Sequence, residues 1–142
     1  MLHARPVQSL LVAAAVIVEA GRVLVTRRPA GTHLAGAWEF PGGKVEPGED
    51  PREAVARELR EELGIDARAG EILDVTFHRY PDKCVTLLFF EVARLPGSPA
   101  PEPLEVAELR WAGPGELAPA DFPPADLAAL AKVRRLLGPG VR

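Results

Sequence analysis

Residues 42–65 read Gly-Gly-Lys-Val-Glu-Pro-Gly-Glu-Asp-Pro-Arg-Glu-Ala-Val-Ala-Arg-Glu-Leu-Arg-Glu-Glu-Leu-Gly-Ile. Asp50 suits a helix N-cap, Pro51 the first helical position, Glu53 completes a capping-box pattern, and Gly64 supplies the stop. Within that helix Val55, Leu59 and Leu63 form an apolar stripe that can fix it against a sheet. Glu58, Glu61 and Glu62, at i, i+3 and i+4, project from one face. Like charges so placed repel and cost helix stability unless a cation or a basic partner neutralises them; a solvated acidic face is the plainer alternative. Arg57 lies four residues after Glu53 and four before Glu61, so it can brace a carboxylate and hold its rotamer. Gly42-Gly43 permits a close backbone approach, so a main-chain carbonyl can point at the same ion. Hard oxygen ligands of this kind suit magnesium or manganese rather than zinc.

Working outward, Leu10–Val18 and Val23–Arg27 read as two antiparallel strands joined by a hairpin at Glu19-Ala20-Gly21-Arg22. Pro29 to Gly48 reads as loop with an apolar insert at Trp38 and Phe40. Ile72–Tyr80 and Val85–Val92 form a second strand pair turning at Pro81-Asp82. Pro96–Pro103 is an exposed connection, Glu108–Trp111 a short strand, and Asp126–Leu137 a helix with Leu127, Leu130, Val133 and Leu137 at helical spacing. Strands with two helices far apart predict an α/β (α+β) fold, a mixed sheet with helices packed on it.

The chain of 142 residues has the size of one domain, so residues 1–142 are expected to share a single core. A net charge of −3 offers no basic field for a nucleic-acid polymer, which disfavours one as partner. The one cysteine, Cys84, cannot form an internal disulfide and reads as a buried strand residue; a reducing compartment, hence the cytoplasm, is the expected location. The longest apolar run, Leu10–Val18, has nine residues where a membrane helix needs roughly 20, so no membrane partner is expected. A secretory leader is the competing reading of that run, with His3 and Arg5 as its charged start and Val18-Glu19-Ala20 as a loose cleavage site; it would discard one strand of the hairpin.

Gly43, five residues, Glu49, seven residues, Arg57-Glu58-Leu59, one residue, Glu61-Glu62, one residue and Gly64-Ile65 match every fixed position of the Nudix box, so the chain resembles the Nudix hydrolases. The resemblance implies an α/β/α sandwich around a mixed β-sheet, and hydrolysis of a nucleoside diphosphate linked to another group with Mg²⁺ (or Mn²⁺) on the box helix. By position, Glu58, Glu61 and Glu62 look like metal ligands with the Gly43 carbonyl, Arg57 and Glu49 like the bracing pair, and Arg57, Glu58 and Glu61 like catalytic residues. Members often add a catalytic Glu from a loop beyond the box, as metal ligand or base; Glu105 is the candidate, with Glu102 and Glu108 behind it.

Beyond the box, Thr26-Arg27-Arg28, His33, Trp38-Glu39-Phe40-Pro41-Gly42-Gly43-Lys44, Tyr80-Pro81-Asp82-Lys83 and Asp121-Phe122-Pro123-Pro124-Ala125 resemble the MutT-type branch, which hydrolyses nucleoside triphosphates to monophosphate and pyrophosphate. The resemblance implies Lys44 beside the phosphates, and Arg28, His33, Phe40 and the Pro124-to-Asp126 turn around the substrate, a small-molecule nucleotide. Oxidised-guanine enzymes of this branch carry Asn where this chain has Asp126, and an ionised Asp only accepts hydrogen bonds. 8-oxo-dGTP, with a nucleotide-pool sanitising role, is the expected substrate. CTP, 5-methyl-dCTP, broad pyrophosphohydrolase activity, ADP-ribose or a dinucleoside polyphosphate are the alternatives. Asp126 can also serve simply as the N-cap of the last helix. Both a monomer and a homodimer are compatible with the sequence.

Overall fold

The apolar run near the start becomes β1 (Gln8–Val16), and its composition follows from having both faces covered. Ala13, Ala15 and Ile17 face one core with Val55, Leu59 and Leu63, whereas Ala14 and Val16 face another with Ala129, Leu130 and Val133. The computed structural model describes residues 7–139. β2 (Val18–Glu19), β3 (Arg22–Arg27), β4 (Trp38–Glu39) and β5 (Gly42–Lys44) lead into α1 (Pro51–Leu63). The long strands β6 (Ala67–Arg79) and β7 (Lys83–Arg94), then β8 (Glu108–Ala112), lead through three 3₁₀ turns to α2 (Leu127–Leu137).

Two sheets result. The first has the order β5-β1-β7-β6, with β1 parallel to β7 and the other pairs antiparallel, so it is mixed. In the second, β3 is flanked by β8 along one edge and by β2 and β4 along the other. Because the α1 core and the α2 core lie on opposite faces of β1 and β7, the architecture is helix on sheet on helix.

The β6–β7 pair and both helices match the expected elements, with strands longer than their apolar runs. The first hairpin does not match. β1 pairs with β5 and β7, and only the two-residue β2 turns back on β3, Val18 opposite Val23. The chain leaves the first sheet at Ile17, and the continuous hydrophobicity conceals that break. The charged start proposed for a leader, His3 and Arg5, lies outside the described residues, whereas β1 is an interior strand. No helix among the described residues is long and apolar enough to cross a membrane. Cys84 is half-buried on β7 rather than fully buried.

One close approach sets the position of the Gly42-Gly43 strand. A Cβ on Gly42 would lie 2.1 Å from the Ala13 carbonyl oxygen, and its φ is +156°. Gly42→Ala is therefore expected to cost on the order of 3 kcal/mol or more, since backbone must move. Gly48→Ala, at φ +77° with open space around it, should cost only about 1 kcal/mol. Thermal unfolding of the two variants checks this; equal losses would refute the close-approach account.

Candidate active site

α1 is placed by its apolar stripe and its ends. Asp50 accepts from the Arg52 N–H (2.8 Å) and Gly64 takes the left-handed conformation at the C-terminus (φ +69°). With Val55, Leu59 and Leu63 fully buried, the opposite face presents the acidic residues to the Gly43 strand. A Cβ on Gly43 would fall 2.4 Å from the Glu58 carboxyl carbon, so a side chain there would displace the Glu58 carboxylate from its place against the strand.

Arg57 lies among the carboxylates. Its Nε and Nη2 donate to the two Glu49 oxygens at 2.8 and 3.0 Å, Nη1 donates to Glu58 at 3.0 Å and to Glu61 at 3.3 Å, and Nη2 also reaches the Lys44 carbonyl at 3.1 Å. Glu49, which also accepts from the Glu46 N–H, is held down at about 2 by the Arg57 guanidinium. Glu62 receives no such partner. Burial pushes its pKa up to about 9, reinforced by the negative charges of Glu58, Glu39 and Glu105.

That influence identifies Glu105 among the three loop candidates as one lying close to the acidic face. The loop preceding β8 is tied to the end of α1, where the Leu104 and Glu105 N–H groups donate to the Glu62 carbonyl (3.0 and 3.2 Å) and the Glu102 N–H to Leu63 (3.0 Å). These donors satisfy carbonyls a helix end leaves open. Glu108 instead pairs with Arg27 (3.0 Å).

A cleft of about 390 Å³ runs from Gly42, Gly43 and Lys44 to Ala125 and Asp126, with Arg28, His33, Glu39, Tyr80 and Lys83 on its walls and Leu10, Val12, Val85 and Leu87 beneath. Arg28, His33, Lys44 and Asp126 thus line it as expected. Phe40 does not. Its ring is buried in the core against Phe89 and Phe122 (centroids 6.0 and 5.8 Å), because the alternation of a short strand turns Glu39, and not Phe40, toward the cleft. Phe40 contributes its backbone N–H, which favours the ionised form of Asp126.

Glu39 is the residue that sequence reading passed over. It accepts two hydrogen bonds from Arg28 Nη1 (3.0 and 3.1 Å), while burial pushes its pKa up against that pairing. Its position between two large apolar residues, Trp38 and Phe40, was the available signal. Asp126 precedes α2 without capping it by a side-chain bond. Its carboxyl group is buried, and burial with the neighbouring Glu39 charge raises its pKa to about 7 against the Phe40 N–H and Arg28, which lower it.

The donor set fits a divalent cation. All the groups are hard oxygens, a glycine cradle leaves the Gly43 strand close to Glu58, and the negative charge around Glu62 exceeds what Arg57 neutralises. Among the described residues no three acidic, His or Cys side chains close into a cage as they stand, since Glu58 and Glu61 lean on Arg57.

Residues 9–133 match the model of the NUDIX domain. The chain is 40% identical over 118 residues to the 8-oxo-dGTP diphosphatase of Escherichia coli K12, covering 83% of this chain and 90% of that protein. It is 42% identical over 117 residues to the CTP pyrophosphohydrolase of the same organism, covering 79% and 85%. Among solved structures, the E. coli ORF135 protein superposes with a TM-score of 0.78 at 35% identity, covering 93% of each chain. A MutT protein from Methanosarcina mazei Go1 also gives 0.78, at 26% identity, covering 96% and 100%.

Asp126 yields a pH-dependent prediction. Its folded pKa, about 7, lies above the ordinary 3.8, so between these values the folded chain keeps a proton that the unfolded chain has lost, and stability falls as pH rises through that window. Asp126→Asn removes this contribution while Glu39, Arg28 and Tyr80, the groups facing it, remain. The variant should gain several degrees in melting temperature relative to wild type at pH 8 over pH 5. An equal difference at both pH values would mean that Asp126 is ionised throughout.

Proposed function

The chain belongs to the Nudix family of hydrolases, and on that premise we propose that it hydrolyses nucleoside triphosphates, 8-oxo-dGTP foremost, to monophosphate and pyrophosphate. The observation that carries this reading is the cleft that starts at Gly43 and Lys44, the strand against which Glu58 of α1 packs, and ends in a base-sized apolar pocket on a buried Asp126. Glu58, Glu61, Glu62 and the Gly43 carbonyl would hold Mg²⁺, with Mn²⁺ as a substitute. A bound cation withdraws charge from phosphate oxygens and lowers the pKa of bound water. Lys44 neutralises the phosphate chain, Arg57 keeps Glu58 and Glu61 in position, and Glu105 accepts the proton of the attacking water.

At the other end, Arg28 and His33 flank the sugar and base. With its pKa raised to about 7, the Asp126 carboxyl populates both its forms at neutral pH, and the protonated form donates a hydrogen bond, as the Asn of the oxidised-guanine enzymes does. Its ionised form accepts instead, which suits the cytosine amino group. That duality, with the similarity to a CTP pyrophosphohydrolase, favours a second reading in which CTP or 5-methyl-dCTP leads.

The test is kcat/KM at pH 7 with Mg²⁺ for 8-oxo-dGTP, dGTP, CTP, 5-methyl-dCTP, ADP-ribose and a dinucleoside tetraphosphate. 8-oxo-dGTP is expected to lead and to yield pyrophosphate, and EDTA is expected to abolish turnover. Leadership by a diphosphate-linked conjugate would overturn the assignment of the base pocket. Glu61→Gln should lower kcat on the order of a hundredfold or more with little change in melting temperature, because Glu61 is half-exposed (48%). Full activity in that variant would refute its part in holding the cation.

A further inference from the structure

The rim of the cleft carries a side chain held against its own backbone preference. Leu34 has φ +56°, in the left-handed region that residues other than glycine and asparagine avoid. In the same turn the chain meets this need with glycine, at Gly31 (φ +80°) and Gly36 (φ +82°). The other such non-glycine, Ala20 (φ +51°), sits beside Gly21 (φ +74°) in the hairpin between β2 and β3, where both central residues require it. Leu34 is the third residue of the turn Thr32–Ala35, closed by the Ala35 N–H on the Thr32 carbonyl (3.2 Å), a position that glycine or asparagine fills without cost and that here carries a large apolar side chain. Core packing does not offset the cost of the leucine, since it is 38% exposed.

What Leu34 does is line the cleft. With Pro123 it also lines a neighbouring depression of about 410 Å³ bounded by Trp38 and Phe122, so these two residues form the ridge between the hollows. The turn is tied down on both sides. The Arg28 N–H donates to the Ala37 carbonyl (2.9 Å), the Gly36 N–H to the Arg28 carbonyl (3.1 Å), and Arg27 Nε to the Gly36 carbonyl (3.1 Å). Arg28 Nε donates to the His33 carbonyl, while its Nη1 grips Glu39 inside the cleft. One guanidinium therefore joins the polar wall of the pocket to the backbone that presents Leu34.

We propose that Leu34 is a specificity-determining residue, an apolar wall that closes on the nucleobase opposite Leu10, Val12, Val85 and Leu87, and that Arg28 sets its position. The inference rests on the nucleotide reading above. An unfavourable conformation persists where its side chain is needed, and a flat ring covering Leu34 supplies the burial that the free protein withholds.

The experiment compares Leu34→Gly, Leu34→Asn and Leu34→Met, using 8-oxo-dGTP and CTP as substrates and tripolyphosphate, which has no base, as competitive inhibitor. Glycine and asparagine suit the backbone but remove the apolar wall; methionine keeps the wall. KM should rise about tenfold in the first two variants, with kcat within twofold, tripolyphosphate inhibition unchanged and melting temperatures within a few degrees of wild type. Methionine should restore KM. An unchanged KM in the glycine and asparagine variants, a parallel weakening of tripolyphosphate, or no rescue by methionine would overturn the proposal while leaving the triphosphatase reading intact. A wild-type protein that hydrolyses neither nucleotide would overturn that reading and this inference with it.

Discussion

One guanidinium makes the site possible. Glu49, Glu58 and Glu61 converge within hydrogen-bond reach of Arg57, the nearest contact at 2.8 Å, and without that cation the three carboxylates would repel one another across the helix and the preceding loop. Arg57 also bonds the Lys44 carbonyl, so it ties α1 to the end of β5. Removing either side of such a pair leaves an uncompensated charge, which costs more than the pair itself contributes. The brace has a limit, however. It serves Glu49, Glu58 and Glu61, and leaves Glu62 half-buried among negative neighbours. The structure thus combines a rigid frame with an excess of negative potential, the electrostatic condition that makes divalent cation binding favourable.

The loop that brings Glu105 to this excess is held by the helix it approaches. Arg94 donates two hydrogen bonds to Glu19 (2.7 and 2.6 Å) and a third to the Pro99 carbonyl (3.2 Å), while the Asp66 N–H donates to Ser98 Oγ (3.0 Å). From that anchor the chain crosses the end of α1, where its amide groups take up the Leu63 and Glu62 carbonyls. A proline-rich segment suits the task because prolines lose little conformational entropy on ordering and make no demand for N–H partners. The segment is surface-exposed, as its composition predicts, and yet positioned.

Local chemistry was legible in the sequence; long-range register was not. The acidic face, its apolar backing, the Asp50 cap and the Gly64 stop all follow from spacings within a few turns of one helix, and the β6–β7 pair from two adjacent apolar runs. The partners of β1 lie elsewhere, at β7 some seventy residues on, and no local pattern encodes a parallel pairing at that separation. The same limit explains Phe40 and Glu39. Which of two neighbours faces the cleft depends on the phase of a two-residue strand, and that phase is set by Thr26 opposite Glu39 and Arg27 opposite Trp38. The aromatic residue suggested the pocket; the pairing places its neighbour Glu39 there instead.

Glu39 then links the two ends of the cleft. Its charge raises the pKa of Glu62 on the acidic face and of Asp126 at the far end of the cleft, while Arg28 draws its own pKa down against burial. Through Arg28 it is also bonded to the turn that presents His33 and Leu34. A group that neutralises the acidic face lowers the cost of ionising Glu39, and an ionised Glu39 favours the protonated form of Asp126. The protonation states of Glu62 and Asp126 are therefore not independent. Glu39, carried by one short strand, thus couples electrostatically to Glu62 on the acidic face and to Asp126 at the far end of the cleft.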